Sequence, residues 1–175
     1  MNKLTVIGLV LAIAAIALGI SAITGVLFGR PPVTPGNNTN PDIKTFLATN
    51  DTVETVDGKP VIRLFSTTWC PHCVWISSTY DSVVNEYVSQ GKIVAYHWQL
   101  DTGDNTLTPE AEIAVPASEQ AVFQKFNPQG SIPTFVFGGK YYRIGNGYER
   151  EGNLTLEEQE FRAVIEELIK EAKTA

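Results

Sequence analysis

Apolar and polar positions follow three different rhythms along this chain. Leu4 to Gly29 is a run of 26 residues without one charged side chain. As a helix rising about 1.5 Å per residue it would be about 39 Å long, enough to cross a hydrocarbon core of about 30 Å with some tilt. Arg30 to Asn40 is rich in Pro, Gly, Asn and Thr and poor in anything that could build a core, which predicts an extended linker. From Asp42 onward short apolar runs alternate with helical periodicity, the pattern of an α/β domain. The expected organisation is therefore an N-terminal transmembrane anchor over residues 1–30, a flexible linker over 31–41 and a domain over 42–175.

Within the domain, Val61-Ile62-Arg63-Leu64-Phe65 reads as a central strand after the turn Asp57-Gly58-Lys59-Pro60. Val74 to Ser89 repeats its apolar residues at helical spacing and stops before Gly91, with Pro71 suited to the first turn. A second strand is expected over Lys92 to Asp101, then a polar acidic excursion to Pro116 and a short helix from about Ala117 to Phe126. Thr134 to Phe137, Gly138-Gly139 and Lys140 to Ile144 read as a hairpin. The chain closes on an amphipathic helix whose start is marked by Thr155 with Glu158 as a capping box. Arg63 inside a central strand calls for a carboxylate partner. Trp75, Tyr96, Trp98 and Phe135 read as packing aromatics.

The length of the first run changes how the N-terminus is read. A cleaved secretory signal carries about 7–15 apolar residues before a small-residue site, so retention as an anchor is favoured, although Ile20-Ser21-Ala22 leaves a cleaved or lipoprotein-like form open. Lys3 and the terminal amine precede the span and Arg30 alone closely follows it, which by the positive-inside tendency puts the domain outside the cytoplasm. With Lys3 and Arg30 set aside, 11 basic residues stand against 19 acidic ones, a charge of −8 on the remainder. Such a surface repels a phosphate backbone, so nucleic acid is not an expected partner.

The chemistry resides in two cysteines, Cys70 and Cys73. They are too few for a disulfide scaffold, and one Cys-x-x-Cys supplies only half of a closed zinc site. A disulfide between them would close a tiny loop and stabilise little. At the start of a helix, however, Cys70 gains from free backbone N–H groups and the helix dipole, which favour the nucleophilic thiolate. A second thiol three residues on can resolve a mixed disulfide, and His72 between them can stabilise the thiolate further. Redox exchange is thus the leading reading, with metal ligation or incidental burial as the alternatives.

Trp69-Cys70-Pro71-His72-Cys73 after an apolar strand, Ser131-Ile132-Pro133-Thr134 further on, and a loop at Gly145 before the last helix resemble, in order, the thioredoxin-like superfamily over most of Val53 to Glu171. The resemblance implies a thioredoxin-like fold, a central mixed sheet flanked by helices. It also implies a cis Pro133 facing the cysteines and a substrate groove made by Trp69, Pro71, Ile132, Pro133 and Gly145. The Pro-His dipeptide resembles that of the DsbA-type disulfide oxidants, which implies an oxidising couple. The family's buried acid, six residues before the first cysteine, is replaced here by Leu64, and its partner lysine falls at His97. His97, directly or through a water, is therefore a candidate replacement proton relay near Cys73.

The combined expectation is a single-pass, membrane-anchored thiol–disulfide oxidoreductase of the extracytoplasmic face. No cofactor beyond a redox-active Cys70–Cys73 disulfide is expected, and no metal. The expected partners are cysteine-containing exported polypeptides, a membrane redox partner and the lipid bilayer through Leu4 to Gly29. A reductase fed by a membrane electron donor and a non-catalytic peptide- or metal-binding module are the rivals.

Overall fold

The structure, a computed structural model, describes residues 36–174. The apolar run Leu4–Gly29 and most of the linker, and with them the expected anchor, lie outside the described residues. Among the described residues no helix is long and apolar enough to cross a membrane.

Six strands and three helices make a mixed α/β domain. Strands β1 (Leu47–Ala48) and β2 (Thr55–Val56) are short. They precede β3 (Lys59–Ser66), helix α1 (Pro71–Ser89) and β4 (Val94–Gln99). Helix α2 (Ala117–Phe126), the hairpin β5 (Thr134–Phe137) and β6 (Tyr141–Ile144), and helix α3 (Leu154–Ala172) complete the chain. β3 lies at the centre, parallel to β4 on one side and antiparallel to β5 on the other, and the sheet continues through β6 to β1. A mixed sheet with this helix order and this cysteine spacing is compatible with a thioredoxin-like fold.

β3 is buried on both faces, as the near-continuous apolar run required. Ile62 and Leu64 enter one core with Tyr80 of α1, Phe135 and Phe137 of β5, and Phe161, Ile165 and Leu168 of α3. Phe65 enters a second core with Trp98, Val136 and the α2 residues Phe123 and Phe126. The sheet is therefore covered by α1 and α3 on one face and by α2 on the other. Phe161 is the hub of the first core, its ring 5.2 Å from Phe135, 5.8 Å from Phe137 and 6.0 Å from Tyr80.

Two buried arginines tie distant segments together. Arg63 meets Glu54 through a two-point contact at 2.7 Å and Glu119 at 2.7 Å, which names the carboxylates its position demanded. Arg143 reaches Glu157 at 2.5 Å and Glu160 at 3.4 Å, and its guanidinium lies 4.6 Å from the ring of Phe46 and 4.7 Å from that of Phe135. Glu160 in turn accepts from the backbone N–H and hydroxyl of Thr45, so the segment before β1 is pinned to α3.

Several boundaries differ from the sequence reading. Ordered contacts begin inside the expected linker: the Gly36 N–H donates to the Ala48 carbonyl at 2.7 Å, and the Asn40 amide to Glu167 at 3.2 Å. The cap of α3 is Asn153, whose side chain accepts from the Leu156 N–H at 3.0 Å, rather than Thr155, which sits within the first turn. The β5–β6 turn is the one expected. Gly138 and Gly139 both have φ of +60°, a conformation that side chains resist, and a Cβ on Gly138 would come within 2.6 Å of Leu168.

Candidate functional site

The end of β3 delivers the chain through Thr67 and Thr68 to Cys70, which occupies the N-cap position of α1. Pro71 follows at the first helical position, where its missing N–H costs nothing. The Cys70 backbone has φ −79° and ψ 118°, and its carbonyl accepts the first helical hydrogen bond, from the Val74 N–H at 3.0 Å. Cys70 thus stands at the end of the helix where unpaired N–H groups concentrate positive potential, although its side chain makes no capping hydrogen bond. Both cysteines are free thiols in this structure, Cys70 at 4% and Cys73 at 1% exposure.

The two thiols have unequal surroundings. Burial pushes the Cys73 thiol up to about 12, and the neighbouring Cys70 adds to the effect, while a hydrogen bond from the Thr67 backbone opposes it. Asp101, which grips Thr68 through its backbone N–H at 3.2 Å and its hydroxyl, also faces Cys73 as a like charge. The Thr68 hydroxyl, followed by backbone donors, holds Asp101 below the usual carboxylate range despite the opposing effect of desolvation. Both thiols are buried, and burial holds that of Cys73 protonated.

The remaining residues expected at the site have these surroundings. Trp69 is 71% exposed and Val74 64% exposed, so two large apolar side chains flank the cysteines in solvent. The Ile132–Pro133 peptide bond is cis. The Pro133 carbonyl accepts from the Gly145 N–H at 2.8 Å, and the next residue, Asn146, donates to the His72 carbonyl at 2.9 Å. A chain of hydrogen bonds thus joins Pro133, Gly145 and His72. The Ile132 side chain is half-buried against the second core.

His97 stands apart. It is buried, with Nε2 at 2.8 Å from the Ser66 hydroxyl and Nδ1 at 2.7 Å from Asp81, and its backbone N–H is taken by Asn105 at 2.9 Å. Both ring nitrogens are occupied, and among the described residues no hydrogen bond joins His97 to Cys73. Asp81 and Ser66 went unremarked in the sequence because nothing local marks them as partners of a histidine.

Glu149 and Asn146 were also missed. The His72 Nδ1 lies 2.8 and 2.9 Å from the two carboxylate oxygens of Glu149. The two residues are 77 positions apart, and only the loop after β6 brings them together. His72, Asn146, Gly147, Glu149, Arg150 and Glu151 line an open cleft of about 620 Å³. Thr67, Val74, Ser77, Asp81 and Gln99 are among the residues lining a second, shallower cleft of about 670 Å³. Among the described residues no three His, Cys, Asp or Glu side chains gather in a way that could hold a metal ion.

Comparison with protein families, with curated proteins and with solved structures finds no match to this chain.

Proposed function

We propose that this protein is a thiol–disulfide oxidoreductase of the thioredoxin-like superfamily, held at the extracytoplasmic face of a membrane by Leu4 to Gly29. It would exchange disulfides with cysteines of exported polypeptides. The observation that carries the reading is the asymmetric pair: Cys70 at the helix N-cap and Cys73 inside the first turn, both buried, with burial holding the Cys73 thiol protonated. Such a pair suits a nucleophile and a resolving thiol, whereas two structural cysteines need no such difference.

In the oxidising direction a substrate thiolate attacks the Cys70 sulfur of the Cys70–Cys73 disulfide. A substrate–Cys70 disulfide forms, and Cys73 leaves as a thiolate that takes up a proton. A second substrate thiolate then attacks the substrate's own sulfur and expels Cys70 as the thiolate. The substrate has gained a disulfide and lost two electrons, and the protein holds them as a dithiol until a membrane redox partner accepts them. The helix N-terminus favours the Cys70 thiolate, and burial returns Cys73 to its protonated form. Trp69 and Val74, exposed beside the cysteines in the chain, supply apolar surface against which an extended polypeptide would lie. The oxidising direction is favoured by the Pro-His dipeptide and by an exported setting, where disulfides persist.

Trapping tests this reading. Cys73→Ala, incubated with a disulfide-containing peptide, is expected to accumulate a mixed disulfide at Cys70 that the wild type resolves. Absence of the adduct, or an equal yield in Cys70→Ala, would overturn the proposal.

A further inference from the structure

The geometry points to Glu149 as a positioning residue for His72. Its carboxylate takes the imidazole as a counter-ion, and so withholds from the Cys70 thiolate part of the positive charge that a Pro-His pair places beside it. The inference rests on the proposed dithiol chemistry and concerns how strongly that chemistry is poised.

His72 is the second residue of α1, and its side chain is 63% exposed. A ring so placed is free to swing toward Cys70 or away from it. Here it is held: Nδ1 lies 2.8 and 2.9 Å from the two Glu149 oxygens. Asn146 completes the hold, because its one amide group donates both to Glu149 at 2.8 Å and to the His72 carbonyl at 2.9 Å. Ring and backbone of the residue between the cysteines are thus both tied to the loop that also hydrogen-bonds Pro133 through Gly145. Among the described residues the hydrogen bonds of the His72 ring go to Glu149 and none to Cys70.

The charge on Glu149 is secured. Desolvation works to raise it, but the Asn146 amide and the His72 ring prevail and hold it below the usual carboxylate range. Arg150 and Glu151 face the same cleft with opposite charges. On its own helix His72 has Cys70 and Cys73, and Asp101 faces the pair from beyond Thr68. Glu149 is the charged group among these that contacts the imidazole. A protonated His72 and an ionised Glu149 sum to zero charge beside the sulfur. The imidazolium alone would sum to +1.

The sign of the effect is clearest at a pH where the His72 ring carries its positive charge both with and without Glu149, a condition read from the ring's own NMR signals in the two proteins. Glu149→Gln then removes a negative charge, leaves the positive one and frees the ring to turn toward Cys70. In a Cys73→Ala background, where one thiol titrates, the rate of iodoacetamide alkylation against pH reports the Cys70 acid constant. Glu149→Gln is expected to raise that constant roughly two- to fivefold, the size of a partly exposed ion pair, and Glu149→Asp to restore most of the wild-type value. In a His72→Asn background the effect of Glu149→Gln is expected to shrink.

An unchanged or lowered constant in Glu149→Gln would overturn the inference. So would an equal shift without His72, which would assign the effect to direct repulsion between carboxylate and thiolate. If Cys70 of the Cys73→Ala protein forms no mixed disulfide at all, the dithiol reading fails. If it exchanges normally and Glu149→Gln shifts nothing, only the role of Glu149 fails.

Discussion

The unequal cysteines make a quantitative prediction about reactivity. A thiol with the ordinary value of 9.0 is about one part in a hundred thiolate at pH 7, and one pushed up to about 12 is about one part in a hundred thousand. Unfolding the reduced protein in urea exposes Cys73 and returns it to the ordinary value, so the perturbation should raise its alkylation rate by about a thousandfold. The assay is iodoacetamide labelling from about pH 6 to 10, with each cysteine quantified by mass spectrometry and Cys70 followed in the same samples. In the native protein the Cys73 rate should still climb tenfold per pH unit beyond pH 9, whereas in urea it should level off there. A native Cys73 that levels off near pH 9, or reacts within tenfold of its unfolded rate at pH 7, would refute the burial argument. The sign for stability follows. The folded state keeps a proton that the unfolded state releases above about pH 9, so the dithiol form should lose stability between about pH 9 and 12, a loss the disulfide form does not share.

Three further outcomes follow from the fold. Phe161→Ala empties the hub of the first core and should cost about 3–5 kcal/mol in urea unfolding; a cost below about 1 kcal/mol would mean the four-ring contact carries little. Arg143→Met strips the buried carboxylates of Glu157 and Glu160 of their counter-ion, a change expected to cost about 3–5 kcal/mol by the same measurement. Asn153→Ala removes the side-chain cap of α3 and should cost about 1 kcal/mol, whereas Thr155→Ala should cost less, and the reverse order would restore Thr155 as the cap.

Local signals were legible in the sequence, and contacts between distant segments were not. The glycine pair at 138–139 dictates its own turn, and α2 and β5 have the bounds their periodicity implied. β1 and β2 are two residues each and exist only through their partners, Tyr141–Tyr142 and Lys59–Pro60, so no pattern within them announces a strand. At the start of α3 two capping residues stand within three positions, and only the geometry selects Asn153. The same division runs through the candidate site. The Cys-Pro-His-Cys segment declares its helix start, and the Arg63 charge declared a need for acid without naming Glu54 or Glu119. Glu149 reaches His72 across 77 positions, and Asp81 and Ser66 reach the His97 ring across 16 and 31. Those meetings are products of sheet order and loop path.

The central claim, that Cys70 and Cys73 form a redox couple poised to oxidise other proteins, is tested most directly by their reduction potential. Equilibrating the protein in glutathione buffers and counting free thiols should give one two-electron transition, more oxidising than the glutathione poise of about −220 mV. No reversible transition would contradict the couple itself. A potential well below that of glutathione would contradict the oxidising role and favour a reductase.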